Sequence, residues 1–293
     1  MYNESIYIII EEGKKVKISI CHYSFHRRWA AEGWNLDRLC DEVRALDVDA
    51  LDFHVRFLGD VNDAAKRVKD ALYRSGLKLS GLSLSTNFNI SDPAKFEDEI
   101  KKTVGWMEVA SDVGAPVSRI FGGGLKRLEA DEQTKTDAFK RVIDALCRLS
   151  TEAEKLGLIL ALENHGGLPC TGQEQVEMLK AVGSDYVRAT IDVGNYMAGG
   201  QEGVQGTKIA RDFCAYVHFK DFKKVPDSNN PWGWGTKACT VGKGDVDHAA
   251  CLAELKAVGY NGYVALEYEG VEDESIGVPE SVAYMKKVIE LFK

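Results

Sequence analysis

No stretch of this 293-residue chain approaches the roughly 18–20 consecutive apolar residues that a membrane-spanning helix needs. The short run Ile6, Tyr7, Ile8, Ile9, Ile10 lies between Glu4 and the pair Glu11–Glu12. It lacks the basic flank and the length of a secretory signal, so the expected setting is the cytoplasm, with no membrane partner. Cysteine gives no disulfide framework either. The seven are scattered at 21, 40, 147, 170, 214, 239 and 251, an odd number without a C-x-x-C pair, and read as reduced thiols. An excess of positive charge is also missing: 37 Lys and Arg face 45 Asp and Glu, a net charge of -8. That balance argues against a partner with a phosphate backbone, so no nucleic acid is expected. Only six prolines occur, and no Pro/Ser-rich linker divides the chain. One domain over 15–293 is the expectation, with residues 1–14 as a tail or an additional strand.

What the chain does have is alternation. Apolar, β-branched runs of six to nine residues recur at 16–21, 49–55, 77–85, 117–123, 158–164, 187–193, 215–221 and 262–269. Each is followed by a segment with helical periodicity, at about 35–46, 61–75, 93–113, 131–156, 173–182, 204–212, 247–257 and 279–292. The strands are apolar throughout, as in a parallel sheet buried on both faces. Eight strand–helix units of this size predict an α/β fold, a (β/α)8 TIM barrel, with a doubly wound open sheet as the competing architecture.

Four successive strands end in ligand-type side chains. "LALEN" delivers Glu163, "TIDVGN" Asp192, "YVHFKD" His218 and "VALEYEG" Glu267. Each alone has an ordinary explanation: a carboxylate at a strand end caps a helix or meets solvent, and a histidine can be a bonded core residue. Together, at the carboxyl end of successive barrel strands, they fall on the face where barrel active sites are built. Three converging carboxylates repel one another, and a divalent cation resolves that conflict. Oxygen ligands with one imidazole suit Mn²⁺, Mg²⁺, Co²⁺ or Zn²⁺.

The order "ENH", "IDVGN", "HFKD", "LEYEG" over 158–270 resembles the xylose isomerase-like barrel superfamily, and within it the sugar phosphate isomerase/epimerase family. The resemblance implies that Glu163, Asp192, His218 and Glu267 bind one catalytic divalent metal, and that Glu163 and Glu267 form an acid/base pair on opposite faces of a bound sugar. It implies proton transfer through an enediolate, hence an isomerase or epimerase acting on a small sugar or sugar derivative. The same site would serve a lyase or dehydratase on a keto-sugar, inosose or 3-keto-glycoside, and a non-catalytic sugar-binding barrel is a third reading. Homodimers and homotetramers are common in such families.

Further candidates for substrate contact are His165, Lys220, His22, His54, Asn195, Trp29 and Lys243. Trp34 and Trp106 could also wall a sugar, Trp106 equally through ordinary packing. The family's ketose 3-epimerases commonly have histidine where this chain has Asn195 and arginine where it has Lys220, which turns the expectation away from a free ketose. Six histidines and the acidic balance set aside the type IV endonuclease branch. The loop 226–247 is expected to act as a lid, with "VGKGD" (241–245) offering backbone N–H groups to a substrate oxyanion. "FGGG" (121–124) is expected to let backbone pass close to ligand.

Overall fold

The structure, a computed structural model, describes residues 16–292. The expectation for residues 1–14 lies outside that range. Eight strands form one parallel sheet: β1 (Lys17–Cys21), β2 (Ala50–His54), β3 (Lys78–Ser83), β4 (Val117–Phe121), β5 (Ile159–Glu163), β6 (Val187–Asp192), β7 (Cys214–Phe219) and β8 (Tyr263–Leu266). Their order is β3-β2-β1-β8-β7-β6-β5-β4, so chain neighbours are sheet neighbours and β1 lies beside β8. The remaining seam, β3 to β4, is joined just past β3. Leu84 N–H donates to the Arg119 carbonyl at 2.8 Å, and Thr86 exchanges hydrogen bonds of 2.7 and 2.8 Å with the backbone of Phe121. The result is a nearly closed (β/α)8 barrel, not the open sheet.

Helices alternate with the strands: α1 (His26–Glu32), α2 (Leu36–Ala45), α3 (Val61–Ser75), α4 (Pro93–Asp112), α5 (Glu132–Leu156), α6 (Gly172–Val182), α7 (Gly203–Ala210), α8 (His248–Lys256) and α9 (Glu274–Glu290). Their starts follow local chemistry. Asn35, Asp60, Asp92, Asp131 and Thr171 each accept a hydrogen bond from a first-turn N–H, and Pro93 occupies the first helical position. Two expectations need correction. Helix α1 is a short extra element that amphipathic periodicity did not show. Helix α9 begins at Glu274, with Asp273 as its cap accepting from Ser275 N–H at 2.8 Å, so Pro279 sits inside the helix and does not start it. Among the described residues no helix is long and apolar enough to cross a membrane.

Two apolar regions result from the period-2 alternation of the strands. Outward residues such as Ile18, Ile20, Leu160, Leu162, Val217, Phe219, Val264 and Leu266 pack with helix residues in the main core. A separate cluster, Val117, Ala161, Tyr216 and Ala265, fills the barrel interior. The expected lid is ordered secondary structure: Asp221–Pro226 pairs antiparallel with Trp234–Cys239, and Asn230 Nδ2 braces the turn on the Trp234 carbonyl at 2.9 Å.

Candidate metal centre and active site

Counting two residues up each strand from the apolar interior layer reaches a polar one. Val117 leads to Arg119, Ala161 to Glu163, Tyr216 to His218 and Ala265 to Glu267; Ala50 on β2 leads likewise to Asp52. Asp192 closes β6, and Lys220 follows β7. All seven polar side chains are buried, none more than 4% exposed. One ligand atom from each of Glu163, Asp192, His218 and Glu267 lies within 4.8 Å of the others.

The surroundings aim these atoms. Asn195 Nδ2 donates to Glu163 Oε1 at 2.9 Å, leaving Oε2 facing inward. Gly194 and Asn195 N–H groups both donate to Asp192 Oδ1 at 2.9 Å, leaving Oδ2. Asn164 clips β5 to β6, with Nδ2 donating to the Asp192 carbonyl at 2.8 Å and Oδ1 accepting from Asp192 N–H at 3.0 Å. Below it, Gln175 on α6 donates Nε2 to the Leu162 and Thr190 carbonyls at 2.8 and 2.9 Å, while Oε1 accepts from Tyr196 at 2.7 Å. The strand tips carrying Glu163 and Asp192 are thus cross-tied twice.

Glu163 Oε2, Asp192 Oδ2, His218 Nδ1 and Glu267 Oε2 are buried without a hydrogen bond. Only ion-pair contacts reach them, among them Arg119 Nε to Glu163 Oε2 at 3.1 Å and Lys220 Nζ to Glu267 Oε2 at 2.8 Å. Four carboxylates (Asp52, Glu163, Asp192, Glu267) stand against two permanent cations, Arg119 and Lys220, leaving two negative charges when His218 is neutral. Protons offset part of this. Burial and the neighbouring Glu267 push Glu163 up to about 7. Burial opposes the charge on His218, yet Glu163, Asp52 and Glu267 raise it to about 10. Burial also opposes ionisation of Glu267, but Lys220 and His218 outweigh it and hold that carboxyl well below the usual range. One divalent cation would balance the set, and three carboxylate oxygens with one imidazole nitrogen are donors it would accept. These residues fit a metal.

The other candidates fall into distinct places. Lys220 is in the cluster, 3.6 Å from Asp192 Oδ2 and 3.3 Å from Glu269 Oε1 at the rim. His165 is half-buried with its ring 4.3 Å from Phe121, and burial and then Lys220 depress it to about 3, leaving a neutral imidazole. His54 is buried beside Tyr23 and held neutral by burial and then Arg119; its Nδ1 accepts from Arg56 N–H at 3.1 Å. His22 lies fully buried between Trp29 and Phe57, with ring centroids at 4.5 and 4.3 Å, and no hydrogen bond on either nitrogen. Asn195 is engaged with Glu163. Trp34 packs in the core against Phe25, and Trp106 is buried in α4.

Lys243 is half-exposed and paired with Glu280 at 2.6 Å. Its loop does not present free N–H groups: Gly242 and Gly244 donate to Asp221 Oδ2 at 2.8 and 2.9 Å, Val246 to Oδ1 at 3.3 Å, Lys243 to the Thr240 carbonyl and Asp245 to the Phe222 carbonyl. An internal carboxylate holds that site. The glycines at 122–124 serve backbone packing. A Cβ at Gly122 would overlap the Leu168 carbonyl, and Gly123–Gly124 pairs with Gly167–Leu168.

Arg119 and Asp52 were missed because a lone charge in "VSRIF" or "ALDFH" reads as an outward-facing strand residue. The two-residue parity, applied to every strand, would have found both.

Residues 40–288 match the model of the xylose isomerase-like TIM barrel family. The inosose dehydratase of Geobacillus kaustophilus (strain HTA426) is 25% identical over 235 residues, covering 73% of this chain and 76% of that protein. Among solved structures, the 3-keto-D-glucoside 4-epimerase of E. coli superposes with a TM-score of 0.74 at 18% identity, covering 93% and 100% of the two chains. A xylose isomerase-like TIM barrel protein of Mycobacterium smegmatis in complex with magnesium superposes at 0.72 with 16% identity, covering 94% and 96%. By the match across most of its length, the chain belongs to the xylose isomerase-like TIM barrel family.

Proposed function

We propose that this chain is a divalent-metal-dependent isomerase or epimerase that moves a proton on the carbon beside the carbonyl of a sugar or polyol ketone. The observation that carries the reading is the pair Glu163 and Glu267: each has one buried oxygen with no hydrogen bond, in one cluster, with opposite tendencies to hold a proton. Glu163, Asp192, His218 and Glu267 would hold the cation, which supplies charge to stabilise an oxygen becoming an oxyanion.

Glu267, kept ionised by Lys220, takes the proton from the carbon. The C–H electron pair becomes the carbon–carbon double bond, and the carbonyl pair moves to oxygen, giving an enediolate. Glu163, able to carry a proton near neutrality, returns one to carbon. Return from the opposite face inverts the centre; return to the neighbouring carbon interconverts aldose and ketose. Arg119 touches both glutamates, at 3.1 and 3.7 Å, and balances whichever is ionised. His165 and Tyr23 offer neutral polar groups to hydroxyls at the mouth, and the relatives' names point to inososes and 3-keto-glucosides as the first compounds to try. The dehydratase relative favours one second reading, in which the same enediolate expels a β-hydroxyl as water.

The test is NMR in D₂O with Mg²⁺-loaded protein and an inosose or 3-keto-glucoside. Deuterium should enter beside the carbonyl, and Glu163→Gln and Glu267→Gln should each slow turnover by about 10²–10⁴-fold. Loss of water from the substrate would favour the lyase. Full turnover in both variants would sink either reading.

A further inference from the structure

A histidine binds a cation through one ring nitrogen, and the partner of the other nitrogen selects which one. In His218, Nδ1 faces the cluster, 3.7 Å from Glu163 Oε2 and 3.5 Å from Glu267 Oε2. Nε2 is buried, without a hydrogen bond, and faces a single carboxylate, Asp52 Oδ2 at 3.8 Å. Asp52 is fully buried on β2, and Ser83 Oγ anchors Oδ2 at 2.6 Å. Its Oδ1 has no hydrogen bond. A carboxylate kept only for packing would be expected to satisfy both oxygens, because an ionised group in a dry interior is costly. Asp52 instead adds a fourth negative charge to an interior already rich in them, beside the imidazole.

We propose that Asp52 is a positioning residue for the metal centre. Its carboxylate keeps the His218 proton on Nε2, so that Nδ1 presents its lone pair where Glu163, Asp192 and Glu267 converge. This inference rests on the metal reading above. It carries a signature that a structural role lacks. A carboxylate kept only for the fold would leave the ring proton of His218 and the cation affinity of the folded protein unchanged when it is replaced by Asn. In a positioning role the same substitution lowers that affinity.

The experiment titrates Mn²⁺ into chelator-stripped wild type and Asp52→Asn by calorimetry, alongside metal-free thermal melts. The expected result is a 10- to 100-fold loss of Mn²⁺ affinity in a variant that the metal-free melt shows to be folded. Equal affinity in the two folded proteins overturns the inference. Wild type that binds no Mn²⁺ overturns the metal reading and this inference with it. An independent measurement needs no variant: ¹⁵N long-range spectra of the Mg²⁺-loaded wild type should show the His218 proton on Nε2. A proton on Nδ1 refutes the assignment.

Discussion

Gln175 offers the sharpest test of how the site is held. Its side chain is fully buried and makes three hydrogen bonds, to the Leu162 and Thr190 carbonyls and from Tyr196 Oη. Gln175→Leu keeps most of the volume and removes every partner. Each buried group left unsatisfied costs about 1–3 kcal/mol, and the leucine is easier to bury than an amide, so the net loss is about 3–5 kcal/mol. With an unfolding entropy near 2.1 cal/mol/K per residue, a chain of this length loses roughly 0.6 kcal/mol per degree, which converts to a midpoint about 5–8 °C lower. Urea melts should show the same deficit with an unchanged slope. Leu162 immediately precedes Glu163 and Thr190 lies two before Asp192, so Mn²⁺ affinity should fall as well. A Gln175→Leu protein within 1 kcal/mol of wild type and with full metal affinity would show that the strand tips are held by the barrel ladder alone.

Two further predictions concern charge. Saturating wild type with Mn²⁺ at about 100 times its dissociation constant should add about 2.7 kcal/mol, or about 4 °C, relative to chelator-treated protein; no shift in scanning calorimetry would refute the charge balance drawn for the cluster. Burial depresses His22 to about 3 in the folded chain, so the unfolded chain binds the extra proton first as pH falls below about 6.5. The stability associated with its neutral ring is complete above that pH and declines by up to about 1.4 kcal/mol per unit toward pH 3. The stability of wild type relative to His22→Leu should therefore fall as the pH is lowered, in denaturant melts at pH 7, 6 and 5; parallel curves would refute the burial argument.

Barrel architecture was legible because apolar runs and helical periodicity alternate eight times, and because helix caps are written locally, as at Asn35, Asp92 and Gly157. The Glu163, Asp192, His218 and Glu267 group stood out because each residue breaks an apolar strand at its end. Arg119, Asp52 and Gln175 were not legible in that way. Their roles depend on which strand or helix lies across the barrel, a long-range fact: Arg119 meets Glu267 from a strand 148 positions away by chain number only because the sheet curls. Lys243 misled for the opposite reason. A G-x-G stretch advertises backbone donors locally, but whether they are free is decided by Asp221, some twenty residues earlier.

That carboxylate has a consequence for selectivity. Asp221 is tethered, so it competes for the N–H groups of Gly242, Gly244 and Val246 at the effective concentration of an intramolecular partner, with its ordering cost already met by folding. A phosphate arriving from solution would have to evict a like-charged resident from the same seat and leave it without donors. The turn thus acts as a plug against anions, and the chain carries its own occupant.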